Sequence, residues 1–235
     1  MDHHRRVIRD GAIAIKTGRI VDVGDRQELQ SSYEALNRID ASGRAVIPGL
    51  INGHAHIPMT LFRGLADDED LDDWLQHTIF PAEAMNVDEA FVRCGTRLGL
   101  AELIRGGITT VCDMYYYEYA VAEEIAVAGL RGLLGQVLID FPAPDCTDYT
   151  AAMDTLHRFV ERWQGHQLII PAIAPHAPYT GTPEKDSRPI GAGFVRLLRV
   201  NQAGKRGDIK SARSQKHGLQ MPSGALIADQ AIKKL

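Results

Sequence analysis

VIPGLINGHAHIPMTLFRG, residues 46–64, is the stretch on which the reading of this chain turns. An apolar approach (Val46, Ile47) meets a Pro48-Gly49 turn signal, a second apolar pair (Leu50, Ile51) and then Asn52-Gly53-His54-Ala55-His56. If Leu50 to His56 is a strand, alternate side chains share a face, so His54 and His56 point the same way, roughly 7 Å apart along the strand. Two imidazoles on one face at a strand end supply half of a metal site, since a catalytic zinc takes about three protein ligands and keeps one position open. Taken alone, an H-x-H beside a glycine turn reads as two partly exposed histidines. The residues around it decide otherwise.

Pro48, Gly49, Leu50, Ile51, Asn52, Gly53, His54, Ala55 and His56 complete the pattern P-G-[LF]-[IV]-[ND]-x-H-x-H. Here the sequence resembles the amidohydrolase superfamily, in which that pattern ends the first strand of a metal-dependent (β/α)8 barrel. The continuation through Phe62-Arg63-Gly64 and Leu71-Asp72-Asp73-Trp74-Leu75 is similar to the branch of chlorohydrolases and aminohydrolases that includes adenosine-type deaminases. The likeness spans residues 11–180.

Composition sets the outer limits. A chain of 235 residues, 45% hydrophobic and 24% charged, is ordinary globular material with room for one sizeable core. It is short for a barrel that by itself needs about 250 residues. No run of 18 apolar residues occurs and the opening MDHHRRVIRD has no apolar core, so neither a membrane span nor a signal peptide is expected and the reading is cytoplasmic. Cys94, Cys112 and Cys146, without C-x-x-C spacing, argue against a disulfide framework or a thiolate metal site and read as partly buried structural thiols. Charge divides sharply: residues 1–180 hold 15 Lys+Arg against 26 Asp+Glu, residues 181–235 hold 11 against 4. A basic tail suggests nucleic acid or an acidic surface, but this one has a single aromatic residue, Phe194, and no binding motif, so no nucleic acid is expected.

In chain order, Ala12–Lys16 and Arg19–Val23 alternate around Thr17-Gly18, a hairpin signal. A further short strand is expected over Arg38–Val46 with a turn at Ser42-Gly43. The resemblance places these opening strands in a small β-sandwich. Asp67-Asp68-Glu69-Asp70 reads as the solvated N-terminal cap of an amphipathic helix from Leu71 to Phe80, which Pro81 is expected to interrupt. Helices follow at Asp88–Arg105, Glu118–Ala128 and Asp148–Trp163, alternating with strands at Thr109–Met114, Leu133–Ile139 and Leu168–Ala174. Strands alternating with helices imply βαβ units and a parallel sheet. The expected fold is therefore α/β, a partial (β/α)8 TIM-type barrel of about four β/α units preceded by a small N-terminal β segment. The expected divisions are 1–47 for that segment, 48–180 for the first half of the barrel, and 181–235 for an atypical basic tail, disordered or frameshifted.

Catalytic residues of such barrels sit at the C-terminal ends of the strands, where His54, His56, Asp113, Asp140 and His176 fall. By resemblance, His54 and His56 are ligands of one divalent metal ion, zinc or iron. His176, in Pro175-His176-Ala177-Pro178-Tyr179-Thr180, matches a segment whose histidine faces the substrate. Trp74 and Glu83 match positions that pack on the base and bind ribose hydroxyls in adenosine-type deaminases; without the family, Trp74 reads as core. Asp113 and Asp140 have no role to carry over. The implied chemistry is hydrolysis of a carbon–nitrogen (non-peptide) bond, deaminating an adenosine-type purine or related heterocycle by metal-activated water. Trp74 and Glu83 favour 5′-substituted adenosines such as methylthioadenosine or S-adenosylhomocysteine; guanine, other aminated heterocycles and halogenated triazines stay open. The partner is a small-molecule heterocyclic substrate, and open strand edges leave a homo-oligomer open as well.

The family supplies its proton-shuttling carboxylate and remaining ligands from later strands, as H-x-H-x-x-E, a further His and an Asp in a G-[ST]-D-like segment. None occurs after Thr180, where His217 is the only histidine. No general acid/base glutamate is identified, metal binding is expected to be impaired, and the competing reading is a catalytically inactive fragment. Residues 207–218, GDIKSARSQKHG, resemble the helical segment after the H-x-H-x-x-E strand, whereas Asp186 to Arg206 resembles nothing in the family. A shifted reading frame across about residues 186–206 accounts for both. Resequencing the gene is expected to show H-x-H-x-x-E encoded in another frame there; an undisturbed frame without it rejects the shift.

Overall fold

Thr17 and Gly18 both take positive φ, 51° and 72°, the turn geometry whose twist matches a right-handed hairpin. The computed structural model, which describes residues 6–177, 180 and 181, pairs β1 (Gly11–Lys16) antiparallel with β2 (Arg19–Asp25) across that turn. Asp25 then caps α1 (Arg26–Ser32), accepting from the Gln27 and Glu28 N–H groups at 2.8 and 3.3 Å. This helix escaped the sequence reading, although Asp25 three residues before Glu28 is a start signal. Arg26 clamps it to Asp10 through bonds of 2.8 and 2.9 Å. The strand expected over Arg38–Val46 does not form. Only its turn does, with Gly43 at φ 71° and the Arg44 N–H on the Ala41 carbonyl at 3.0 Å. No described strand runs beside it to take up its backbone groups, and Ile39 and Val46 stay exposed. These elements form one unit, ending at Leu50.

The second unit begins at Ile51. Its sheet holds β3 (Leu50–Ala55), β4 (Ile108–Tyr115), β5 (Arg131–Leu138) and β6 (Ile169–Pro175) in that order, with β4, β5 and β6 parallel. After β3 come a 3₁₀ turn over Ile57–Phe62 and the helical run α2 (Leu71–Asp73), a wider π turn (Trp74–Ile79) and α3 (Phe80–Asn86). Then α4 (Glu89–Arg105), α5 (Glu118–Ala128) and α6 (Tyr149–Trp163) alternate with the strands. Asp88 and Asp148 cap α4 and α6 as their spacing predicts, and α5 stops at Gly129, φ 79°. Val111, Ile125, Leu130, Leu134 and Leu156 are fully buried, the near-continuous apolar strands and inward helix faces that a covered parallel sheet requires. The four β/α strands stand where the alternation put them.

Two details correct the sequence reading. Pro81 does not interrupt the helix. The turn before it widens so that the Phe80 N–H reaches back five residues to the Leu75 carbonyl, and Pro81 then sits in the first turn of α3, where its missing N–H costs nothing. Asp70 occupies the N-cap position of α2 but makes no side-chain capping bond. Of the three free thiols, Cys146 is buried and Cys112 half-buried, whereas Cys94 faces outward on α4. Among the described residues no helix is long and apolar enough to cross a membrane.

The turn that follows His56 owes its position to two glycines of α4. A Cβ at Gly95 would strike the Pro58 carbonyl oxygen and lie 2.9 Å from Pro58 Cα; one at Gly99 would lie 2.6 Å from Ile57 Cγ2. Thr60 closes the contact by donating its hydroxyl to carbonyl oxygens of Ile57 and Gly95. Since the clash at Gly95 is with backbone, Gly95→Ala is expected to lower stability by about 1–3 kcal/mol, read as a lower urea midpoint; an unchanged midpoint would show that the turn yields freely.

Candidate metal centre

Four consecutive residues at the C-terminal end of β4, Asp113 to Tyr116, organise the candidate site. The Met114 carbonyl accepts from His56 Nδ1 at 2.6 Å. Because a carbonyl can only accept, this bond assigns the proton to Nδ1 and leaves Nε2 as the ring's electron-pair donor, the tautomer a metal requires. One residue earlier, Asp113 Oδ1 accepts from the Ile57 backbone N–H at 2.7 Å. Tyr115 and Tyr116 donate their hydroxyls to the two carboxyl oxygens of Glu83, at 2.8 and 3.3 Å.

His54 and His56 come together as their alternation predicts. Their ring centroids lie 4.9 Å apart with planes at 83°, closer than the strand repeat because β3 ends at Ala55 and the backbone turns at His56. His54 is exposed and its backbone N–H is held by Asn52 Oδ1 at 3.1 Å. His56 is half-buried, and burial, followed by the neighbouring His54, holds its pKa below the usual imidazole value against the opposing pull of the Met114 carbonyl. His176, just beyond β6, has its pKa lowered by burial and then by His56. Its Nδ1 lies 2.9 Å from Thr180 Oγ1, which also accepts from the Ala177 N–H at 3.0 Å. Residues 178 and 179 of that segment lie outside the described residues, as does the tail from 182.

Trp74 and Glu83 stand on the helical run between β3 and α4. Trp74 is half-buried, with its indole N–H directed at the Leu65 carbonyl at 3.4 Å. Glu83 is 4% exposed, and burial pushes its carboxyl up to about 7 although the Tyr115 and Tyr116 hydroxyls pull it down. Both tyrosines are driven above the usual phenol range, by burial first and then by Glu83.

Behind this surface lie acidic groups that the sequence reading did not weigh together. Asp113 and Glu118 are buried, and desolvation pushes both carboxyls upward; for Glu118 the charge of Asp113 adds to it. Glu118 Oε2 accepts from the Tyr115 N–H at 3.0 Å, and Asp145 Oδ2 from the Tyr117 N–H and Gln136 Nε2 at 2.9 and 3.0 Å. Among the described residues Asp113 Oδ2 and Glu118 Oε1 have no hydrogen-bond partner. The only sequence signal was a strand ending in Asp and three tyrosines, a pattern without a fixed chemical meaning.

The donor set fits one divalent ion in part. Two imidazoles, one with its tautomer set, are suitable ligands, while among the described residues no group of three or more His, Cys, Asp or Glu is arranged to hold a metal.

The profile of the Amidohydrolase family matches residues 45–198, past the Thr180 limit read from the motifs. The 5-methylthioadenosine/S-adenosylhomocysteine deaminase of Syntrophobacter fumaroxidans is 46% identical over 183 residues, 78% of this chain and 42% of that protein. Deaminase 1 of the same name from Syntrophus aciditrophicus is 43% identical over 77% of this chain and 41% of its own length. Among solved structures, an adenosine deaminase from Xanthomonas campestris with bound zinc superposes with a TM-score of 0.69 at 34% identity, over 77% of this chain and 41% of that one. Guanine deaminase from E. coli gives 0.66 at 26% identity, over 77% and 43%. The chain thus spans somewhat over two fifths of the relatives it matches, and the family profile covers more than half of it: the chain belongs to the amidohydrolase family.

Proposed function

We propose that this chain carries the metal-facing and nucleoside-facing part of a hydrolase that acts on carbon–nitrogen (non-peptide) bonds and deaminates an adenosine-type purine, with 5′-substituted adenosines such as methylthioadenosine or S-adenosylhomocysteine preferred. The observation that carries the reading is the His54–His56 pair at the end of β3, with the His56 proton placed on Nδ1 by Met114. The 46% identity to a deaminase of that name supports the substrate class. His54 and His56 would hold the ion, zinc rather than iron by likeness to the zinc-containing Xanthomonas structure. When bound, the metal supplies the Lewis acidity that makes water a nucleophile near neutral pH.

The remaining groups bind and orient. His176, half-buried and anchored by Thr180, would present its other ring nitrogen to the purine. Trp74 would pack on the base. Glu83 would accept from ribose hydroxyls through lone pairs left over from its two tyrosine bonds. Departure of ammonia also needs a group that protonates the leaving amine, and no described residue takes that part. A second reading, a catalytically inactive fragment with impaired metal binding, is favoured by the described residues, among which no group of three or more ligands is arranged to hold a metal.

Metal analysis of the purified chain, with a deamination assay on methylthioadenosine and S-adenosylhomocysteine, separates the two readings: substoichiometric metal and no turnover are expected, whereas stoichiometric tight metal with real turnover refutes the fragment. Removing one imidazole, in His56→Ala, is expected to abolish the residual zinc binding, and zinc uptake equal to wild type would show that the ion sits elsewhere.

Glu83 gives a pH signature. Its folded pKa of about 7 stands above the ordinary 4.5, so the folded chain keeps a proton that the unfolded chain releases. Its contribution is full below about pH 4.5 and is lost as pH rises through about 7, by up to ~3 kcal/mol. Glu83→Gln has no proton to lose, so the stability of the variant relative to wild type is expected to improve as pH rises through that window. Parallel denaturation curves measured across it would place Glu83 in solvent.

A further inference from the structure

We propose that Asp113 is the positioning residue for the metal-facing imidazole of His56: its carboxyl oxygen fixes the backbone turn at Ile57 while the next residue, Met114, fixes the ring. The inference rests on reading His54 and His56 as metal ligands and goes beyond it, since the Asp113 bond is to the Ile57 backbone N–H and not to a ring nitrogen. β3 stops at Ala55, so the orientation of His56 depends on what holds the chain immediately after it. Two bonds do, from adjacent residues of β4: the Ile57 N–H to Asp113 Oδ1 at 2.7 Å, and His56 Nδ1 to the Met114 carbonyl at 2.6 Å. Together they define both the backbone position and the ring plane of one residue, which a single bond cannot do.

Asp113 suits this task because it is rigidly held itself. It lies in the middle of the sheet, in register with Leu134 of β5, and is 4% exposed. Burial favours the neutral acid, whose carbonyl oxygen accepts the Ile57 N–H. A neutral acceptor of this shape has a close mimic. Asparagine keeps the accepting oxygen without a charge, whereas alanine removes the acceptor and leaves the Ile57 N–H unpaired.

The test uses the full chain, labelled with ¹⁵N and free of metal. In the wild type the His56 ring is expected in the Nδ1–H tautomer and the Ile57 amide is expected to exchange slowly. In Asp113→Ala the ring populates both tautomers, and the affinity for Zn²⁺ alone, read from the His54 and His56 ring resonances, falls ~10-fold or more. Asp113→Asn retains the wild-type tautomer, with an affinity within about threefold. A folded Asp113→Ala with an unchanged tautomer and unchanged Zn²⁺ affinity overturns the proposal. So does an Ile57 amide that exchanges at an unprotected rate in the wild type, a measurement that decides the matter even where the alanine variant does not fold. The tautomer is read without metal, so the two inferences fail separately: Zn²⁺ that leaves the His54 and His56 resonances unmoved in the wild type defeats the metal reading, not the positional one.

Discussion

The hydrogen bond from His56 Nδ1 to the Met114 carbonyl is the constraint on which the candidate site depends. It couples the end of β3 to the end of β4 and settles the ring's tautomer through the one group that cannot donate. A histidine at a strand end has two equivalent-looking nitrogens and free rotation about its side-chain bonds. A carbonyl from the neighbouring strand removes both freedoms at once, at the net cost of a single hydrogen bond.

The same four residues, Asp113 to Tyr116, explain why the helical run between β3 and α4 belongs to the site. Glu83 arrives from α3, and both its oxygens are held by Tyr115 and Tyr116. A buried carboxyl is costly unless hydrogen-bonded, and two phenols satisfy it from the strand that also holds His56. The wider turn at Trp74–Ile79 serves the same geometry, since it lets the chain pass Pro81 without breaking and so deliver Glu83 on a rigid helix.

Behind the site, Asp113, Glu118 and Asp145 are an unusual concentration of carboxyls. Each accepts from a backbone N–H at or just past a strand end, of Ile57, Tyr115 and Tyr117 respectively. Exposed loops leave such donors to water; here the loops sit over a covered sheet and side chains take the place of solvent. The arrangement stiffens the ends of β3 and β4, which suits a surface that must hold two imidazoles at a fixed separation.

Much of this was legible before the structure. The alternation of apolar runs with capped helices placed β4, β5, β6 and α4 to α6 to within a residue or two, because Asp88, Asp148 and Gly129 mark helix ends by local chemistry alone. The spacing of His54 and His56 put their side chains together, since a strand repeats every two residues. Those are short-range facts, written in neighbouring residues. What the sequence could not decide depends on partners distant along the chain. Arg38–Val46 has strand-like residues but, among the described residues, no neighbouring strand to complete its hydrogen bonds. Pro81 looked like a helix breaker until the preceding turn widened. The tautomer of His56 is set 58 residues away, at Met114, and the acceptor for Ile57 lies 56 residues away, at Asp113. The sequence by itself determined the family, the parallel α/β arrangement and the two imidazoles; only the tertiary structure decided which way His56 faces and what holds it there, because hydrogen bonds between distant residues leave no periodic trace in the chain.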